Sequence, residues 1–332
     1  MLLLALAAQA AAAQPRPGEL KTFGDWTVGC DNARACRAVA LVPDEEDRAD
    51  YLLLVIDRDG APAAQPRLSF STGSPVPQAS YVLRVDGRAY GRVTGASLPF
   101  GRPLADALGN GSRAAITLTD GRALASASLK GAAAAFLHMD ERQRRVGTTG
   151  ALRRTGPKPD SAVPAPPPLP RVVQPKPSNE PPRLLAPATA EKLIGRENAR
   201  CDHAQGRVEP RAFRLDARHS LALVEHPCGN GAYNIMTSVF VLDEAGRVAP
   251  APFDIPPGWG DGRDNVLVNA DWDPRRRRLT DFSRARGLGD CGATSAFAWD
   301  GARFRLVRSE VMGECRGSTD YITTWRAAVT TR

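Results

Sequence analysis

The stretch from Asp254 to Asn265 combines residue types that could bind a ligand or a calcium ion. Beyond Asp254 it carries the carboxylates of Asp261 and Asp264, together with Asn265, glycines and Trp259. Calcium is bound by several oxygen ligands in a flexible shell, which these side chains could supply. The stretch lacks the spaced D-x-D-x-D-G pattern and the closing Glu of a calcium loop. A hydrated connection between strands is therefore the stronger interpretation, ligand binding stays open as an alternative, and we expect no metal.

A run of four arginines, from Arg275 to Arg278, concentrates positive charge in a chain with net charge +8 and an isoelectric point near 9.5. Such charge attracts anionic partners, for instance the phosphates of a lipid or glycan. Because the run follows Asp273-Pro274, it also suits a hairpin turn whose hydrated charges protect a sheet edge. The turn is the stronger interpretation, with Arg275 and Arg276 as candidates for anion binding. No interleaved aromatic residues favour a nucleic-acid partner.

The cysteines and histidines could in principle hold zinc, since His203, His219 and His226 lie near two of the cysteines. Zinc ligands normally come in close pairs such as C-x₂-C or H-x₃-H, and the sequence has no such pair here. Disulfides are favoured, as in proteins of an oxidising compartment. Six cysteines allow about fifteen connectivities. Pairing each with its neighbour predicts Cys30–Cys36, Cys201–Cys228 and Cys291–Cys315.

Enzymatic motifs are few. Residues 287–292 spell G-x-G-x-x-G, but that pattern binds dinucleotides only between a strand and a helix, and strand-like residues follow it here. We find neither G-x-S-x-G nor a cysteine left free to act as a nucleophile, and we expect no cofactor. A pair of carboxylates for glycoside hydrolysis assembles only in three dimensions, so it stays open. The weak nominees are Asp261, Asp264 and Asp290.

The beginning of the chain predicts export. Residues 1–13 form a short apolar run followed by small residues with Ala-x-Ala spacing, which is typical of a signal peptide. The run is shorter than the roughly 20 residues that a membrane span requires, and no other segment comes close. We therefore expect a periplasmic protein without a transmembrane segment.

The chain is long enough for two domains, and proline marks the boundary between them. Residues 157–187 hold 12 of the 28 prolines of a 332-residue chain. Since proline fixes φ and removes a backbone donor, the sequence predicts a semi-rigid linker at 156–188, neither strand nor helix. It would separate an N-terminal domain, 18–155, from a disulfide-stapled C-terminal domain, 189–332.

Both domains carry the signals of antiparallel sheet. Asp86-Gly87 and Asp120-Gly121 lie between alternating apolar residues, which is the strongest short-range signal for a hairpin. In the second domain Asp243, Asp273 and Asp300 follow apolar stretches, and each has Arg just beyond it. Residues 132–140 predict the one helix of the first domain, on alanine propensity. We expect a mainly β chain of two antiparallel β-sandwich or meander-type domains.

Several blocks carry a resemblance to a known family. These are residues 23–32 (FGDWTVGCDN) with Cys36, residues 228–234 (CGNGAYN), and residues 286–292 (RGLGDCG) before the Trp-Asp-Gly at 299–301. The chain resembles the exported bacterial proteins of domain of unknown function 1176, over nearly its whole length. Its first block is also similar to the invasion-associated locus B proteins. The resemblance implies periplasmic residence and disulfides, and it brings no catalytic residues.

These observations predict a non-catalytic module of the cell envelope, which binds through loops presented by rigid sheets. Its partner would be an envelope protein or an anionic glycan or lipid. The alternative is a hydrolase of envelope polymers that uses carboxylates of the C-terminal domain. A third hypothesis is an inhibitor or accessory of a secreted enzyme, which would act stoichiometrically.

Overall fold

The structure is a computed structural model that describes residues 14–43, 50–73, 81–93, 97–98, 100–201, 208–255 and 264–332. Over these residues the chain is mainly β, as the sequence predicts, and its sheets are almost entirely antiparallel. None of the helices in these ranges has the length and apolar character needed to cross a membrane. The predicted signal peptide, residues 1–13, lies outside the described residues.

The first half of the chain builds two antiparallel sheets and two helices. The six-stranded sheet has the order β1-β2-β3-β4-β5-β8, and the four-stranded sheet has the order β10-β9-β6-β7. The elements are β1 Lys21–Phe23, β2 Trp26–Cys30, β3 Cys36–Ala40, β4 Leu52–Arg58, β5 Arg67–Thr72, β6 Tyr81–Val85, β7 Arg88–Val93, β8 Ser97–Leu98, α1 Arg102–Asn110, β9 Arg113–Thr117, β10 Ala123–Ser128 and α2 Ala132–Arg142.

Both predicted hairpins of this half form, with different turns. Asp86 and Gly87 have φ of 47° and 82°, so both central positions take the positive φ that a tight two-residue turn requires. The second hairpin closes through a longer loop, in which the Leu118 N–H donates to the Arg122 carbonyl at 2.9 Å. Only Gly121 of its Asp-Gly pair has positive φ.

The predicted helix is confirmed as α2, but the expectation of a single helix in this half is wrong. Helix α1 is short, carries a glycine inside, and buries only Leu104, Ala105 and Leu108, so its apolar pattern is weak in sequence. Helix α2 packs Phe136 against the fully buried Trp26, with ring centroids 5.6 Å apart at 85°. That contact places the tryptophan of the FGDW block at the centre of the first core.

The second half contains two further antiparallel sheets and a short parallel pair. One sheet has the order β12-β13-β14-β15 with β16 also on β14, and the other is the meander β17-β18-β19-β20-β21. The elements are β11 Arg171–Gln174, α3 Pro187–Ile194, α4 Arg196–Ala199, β12 Arg211–Arg214, β13 Ser220–Glu225, β14 Met236–Leu242, β15 Val248–Pro250, β16 Val266–Val268, β17 Asp271–Asp273, β18 Arg278–Arg284, β19 Gly292–Trp299, β20 Phe304–Met312, β21 Ile322–Arg326 and β22 Ala328–Thr331.

The three Asp-Arg segments of this half form similar turns. The Asp carboxylate accepts backbone N–H groups from further round the turn, which fixes its geometry. The donors are Ala245 and Arg247 to Asp243, Arg275 and Arg276 to Asp273, and Ala302 and Arg303 to Asp300. A nearby arginine then pairs with each carboxylate, as Arg247–Asp243, Arg276–Asp273 and Arg305–Asp300. The shared turn chemistry therefore accounts for the recurring pattern of an Asp followed closely by an Arg.

The expectation that residues 156–188 contain neither strand nor helix is wrong. Strand β11 pairs in parallel with β22, from Arg171 opposite Ala328 to Gln174 opposite Thr331, and a 3-10 helix covers Asp160–Ala162. The four residues of β11 lie between prolines and include two adjacent valines, so they keep their backbone donors and favour a strand. Val172 is buried against the second half.

The two halves are packed against each other directly, and not held apart. The first half contributes three apolar residues to this contact, from β3, β4 and the segment after β3: Val39, Val55 and Leu41. They pack against residues of β20, β21 and the third disulfide in the second half: Met312, Ile322 and Cys291. Polar contacts extend this interface, since Asn32 and Arg326 exchange two hydrogen bonds of 2.9 and 2.8 Å. The domain limits at 155 and 189, and a sandwich packing of the sheets, stay predictions.

Candidate functional site

A groove of about 790 Å³ lies on one face of the β17–β21 meander, next to the first half of the chain. Strand β18 contributes its centre and end, the segment between β18 and β19 one rim, and the residues just before β21 the other, while β3 of the first half adds one arginine. Its principal lining residues are Arg37, Phe282, Arg284, Leu288, Glu310 and Tyr321. This volume lies within the range of small-ligand sites.

Strand register explains why these side chains share one face. Phe282 lies opposite Thr294, and Thr294 lies opposite Glu310, so the three form a row across β18, β19 and β20. Directly opposed residues in antiparallel strands project to the same side of the sheet. The other residues of β18, beginning with Leu279, are buried on the opposite side, which faces the second core.

The groove presents an aromatic surface with a cation over it. The rings of Phe282 and Tyr321 meet edge to face, with centroids 5.8 Å apart at 76°. The Arg284 guanidinium lies 5.0 Å from the Phe282 centroid. Within the described residues its buried Nε atom has no hydrogen-bond partner. The Tyr321 hydroxyl donates to the Gly289 carbonyl at 3.1 Å. Aromatic faces and free arginine donors are together suited to a polar ligand that also has an apolar face.

Arg37 adds a positive charge to the groove, and Glu310 and Asp320 add negative charges. Arg37 is fixed by Asp57, through contacts of 2.8 and 3.1 Å, and donates to the Tyr321 carbonyl at 3.1 Å. Burial alone would raise the pKa of Glu310, but the bond from Arg308 at 2.7 Å and the nearby arginine charges outweigh burial and lower that pKa. Glu310 is therefore an anion at neutral pH and not a proton donor.

Asp281 is a third carboxylate among the residues that line the groove, and its side chain points away from Glu310. Burial raises the pKa of Asp281 to about 7, although its carboxylate accepts the Ser295 N–H at 2.9 Å. The register that places Phe282 and Glu310 on the groove face places Asp281 on the core face, because neighbouring residues of a strand alternate. In a glycosidase, both catalytic carboxyl groups lie beside the same glycosidic bond of the substrate. Glu310 and Asp281 cannot do this, because they lie on opposite faces of the sheet.

Those sequence-nominated residues that the structure describes lie away from the groove. Trp259 and Asp261 fall outside the described residues, and Asp264 is exposed ahead of β16. Arg275 and Arg276 are exposed in the turn between β17 and β18, so the hairpin interpretation of the arginine run is correct. None of the described nominees lines the groove.

The last two arginines of the run have structural roles. Arg277 donates to the carbonyls of Pro175 and Leu215, each at 2.8 Å. Arg278 donates to the Gln174 side chain at 3.1 Å. Both arginines therefore connect the proline-rich stretch to the meander by hydrogen bonds. Of the four arginines, only Arg275 and Arg276 are exposed in the turn, where an anion could reach them.

Asp290, a nominee for hydrolysis, is a buried structural carboxylate. It forms a two-point pair with Arg286 and accepts the Gly317 N–H at 2.7 Å. The bond from Arg286 is the main reason that the pKa of Asp290 lies below its ordinary value. The G-x-G-x-x-G stretch around it leads directly into β19, so no helix follows that could bind a pyrophosphate.

The cysteines form Cys30–Cys36, Cys201–Cys228 and Cys291–Cys315, which are the neighbour pairs. His219 contacts Asp216 at 3.0 Å, and His226 contacts Ser238 at 2.8 Å. In the ranges that the structure covers, no three His, Cys, Asp or Glu side chains come together as a metal site. His203 lies outside these ranges.

Sequence reasoning missed the groove residues. The alternation along Arg278–Arg284 signals a strand with a polar outer face, but it does not single out Phe282 or Arg284. Arg37 and Tyr321 are 284 residues apart in sequence, and no local pattern connects them.

Comparisons with known proteins agree on one family. The model of the family described as "Protein of unknown function (DUF1176)" matches residues 20–332. The uncharacterised protein YpfG of Escherichia coli (strain K12) is 30% identical over 207 residues, which are 60% of this chain and 58% of that protein. No solved structure is significantly similar. The similarity to invasion-associated locus B proteins stays a prediction.

Proposed function

The chain belongs to the DUF1176 family of proteins of unknown function, and from that premise we propose that it is a non-catalytic binding protein of the bacterial envelope. Its ligand is an anionic glycan held in the groove between β18 and β21. Export is supported by the apolar residues 1–13 and by three disulfides, which persist in oxidising compartments.

The observation that carries the proposal is the aromatic and cationic surface of the groove. Phe282 and Tyr321 offer apolar contact to one face of a sugar ring, while Arg37 and Arg284 offer donors to its oxygens and acidic groups. The groove's volume of about 790 Å³ is that of a site for a small ligand. A glycan fits its size and its mixture of apolar and charged groups.

Binding without catalysis is favoured by the carboxylates. Glu310 is held as an anion by Arg308, and Asp281 lies on the other face of the sheet. Neither of these two carboxylates can therefore donate the proton that hydrolysis of a glycosidic bond requires in the groove. Release of reducing ends from an envelope glycan by the purified protein would contradict this part of the proposal.

The Arg284→Ala variant tests the groove. We expect about tenfold weaker binding of the phosphorylated core oligosaccharide of lipopolysaccharide, measured by isothermal titration calorimetry, because a donor to an anion and a cation over an aromatic ring are both lost. The matched control is Arg88→Ala, which removes the same type of contact, a guanidinium 5.5 Å from the Tyr90 ring, on strand β7. Equal binding by the two variants would mean that the groove is not the site.

A further inference from the structure

A disulfide joins the two rims of the groove. The first rim, residues 285–291, connects β18 to β19, and the second rim, residues 313–321, connects β20 to β21. Both rims contribute residues to the lining. Cys291 is the last residue of the first rim, and its disulfide partner Cys315 lies in the second. A covalent bond therefore links the two sides of the proposed ligand site.

The second rim is fixed to the first half of the chain. Arg316 pairs with Asp25 and donates to the Val42 carbonyl at 2.8 Å. Arg37 of β3 donates to the Tyr321 carbonyl at 3.1 Å. None of these contacts involves a cysteine, so the second rim keeps its place when the disulfide between the rims is opened.

The first rim depends on the second for its position. Only its last two residues, Asp290 and Cys291, are buried. Besides the disulfide, two hydrogen bonds reach the second rim: the Gly317 N–H donates to Asp290 at 2.7 Å, and the Tyr321 hydroxyl donates to the Gly289 carbonyl at 3.1 Å. A segment with so few buried groups opens more easily than the core of a fold, so the covalent bond contributes strongly to its position.

The middle of the first rim is the part that lines the groove. Leu288 is 73% exposed there, between Gly287 and Gly289, and glycine leaves the backbone free to adopt other conformations. Towards β18, the Tyr233 hydroxyl donates to the Ala285 carbonyl at 3.4 Å, which is a long and weak hydrogen bond. The middle of this rim is therefore held mainly from its Cys291 end.

We propose that the Cys291–Cys315 disulfide regulates binding in the groove. While the disulfide is intact, the first rim is held beside the second and the site is ready for its ligand. A dithiol reductant that opens the disulfide releases the first rim, and ligand binding weakens because the rim must then be ordered during binding. The inference rests on the proposed function, since it concerns the same groove and the same glycan.

The reduction proceeds by thiol–disulfide exchange. Cys315 is half-buried while Cys291 is 1% exposed, so Cys315 is the more accessible partner. A thiolate of the dithiol attacks the Cys315 sulfur, the bond between the cysteine sulfurs breaks, and Cys291 leaves as a thiolate and is protonated. The second thiol of the dithiol then displaces Cys315 from the mixed disulfide. The protein gains two electrons and two protons, and the dithiol becomes a disulfide.

The test compares two double variants of the full chain. Cys291→Ser/Cys315→Ser removes the disulfide between the rims. Cys201→Ser/Cys228→Ser removes one of similar sequence separation, 27 residues against 24, and neither of its cysteines lines the groove. The two changes should therefore lower stability by similar amounts, which urea denaturation checks.

We expect the first double variant alone to bind the phosphorylated core oligosaccharide of lipopolysaccharide about tenfold more weakly, by isothermal titration calorimetry. The amide groups of residues 285–291 should also exchange hydrogen faster in that variant, as a released rim would, and not in the control.

Reduction provides a second measurement. Dithiothreitol should weaken binding by the wild type and by Cys201→Ser/Cys228→Ser to the level of Cys291→Ser/Cys315→Ser, and reoxidation should restore it. Cys291→Ser/Cys315→Ser itself should not respond, which shows that opening the other disulfides has no effect on the groove.

Equal binding by the two double variants, or unchanged hydrogen exchange of the first rim in Cys291→Ser/Cys315→Ser, would overturn the inference. Absence of oligosaccharide binding by the oxidised wild type would instead refute the proposed function. Hydrogen exchange alone then decides the inference: faster exchange of residues 285–291 would keep the role of the disulfide in holding the rim, and unchanged exchange would refute that role as well.

Discussion

Replacing Arg316 by methionine should destabilise the protein by about 3 to 5 kcal/mol, because the change leaves the Asp25 carboxylate, whose side chain is only 15% exposed, without its partner. Arg316 is 9% exposed and reaches from the second half into the first. It pairs with Asp25, and donates to the Val42 carbonyl at 2.8 Å and the Gly24 carbonyl at 3.1 Å. Urea denaturation followed by circular dichroism measures the change.

Arg308→Met is the matched control, since Arg308 pairs with Glu310 at 2.7 Å while its side chain is 52% exposed. Exposed ion pairs contribute less than about 1 kcal/mol. Adding Asp25→Asn to Arg316→Met should recover part of the lost stability, because the unpaired charge is removed. A loss no greater than that of the control would show that the two halves do not depend on this contact.

Asp281→Asn should change how stability depends on pH. The pKa of Asp281 is raised from an ordinary value of 3.8 to about 7 by burial. The folded state therefore holds a proton that the unfolded state releases, and the stability of the wild type falls as pH rises from about 4 to about 7. Asparagine does not titrate. The free energy of unfolding of the variant should therefore increase relative to that of the wild type as pH rises across this window, by up to about 4 kcal/mol.

The measurement is urea denaturation of both proteins between pH 4 and pH 8.5. Asp264→Asn, which changes an exposed carboxyl, serves as the control and should follow the wild type at every pH. Parallel stability curves for wild type and Asp281→Asn would mean that Asp281 is ionised in the fold throughout this range.

Local chemistry made much of the fold predictable from sequence. The Asp86-Gly87 turn forms with both residues at positive φ, because an aspartate and a glycine tolerate this conformation between two strands. Asp243, Asp273 and Asp300 each mark a turn, because each carboxylate accepts N–H groups from residues close by in sequence. Pairing each cysteine with its neighbour gives the three disulfides.

Features that depend on tertiary pairing were not predictable. Strand β11 has four residues within a proline-rich stretch, and it forms because β22, more than a hundred residues later, offers a free edge. The groove depends in the same way on the register of three strands and on Arg37. Sequence reasoning instead favoured Trp259, Asp261, Arg275 and Arg276, since local concentrations of charge and aromatic residues are visible in a sequence while a shared sheet face is not.

The most direct test of glycan binding in the groove is a crystal structure of the protein with the phosphorylated core oligosaccharide of lipopolysaccharide. We predict sugar density against Phe282 and Tyr321, within reach of Arg284. An empty groove at saturating ligand, or an oligosaccharide bound only at the exposed turn of Arg275 and Arg276, would contradict this account.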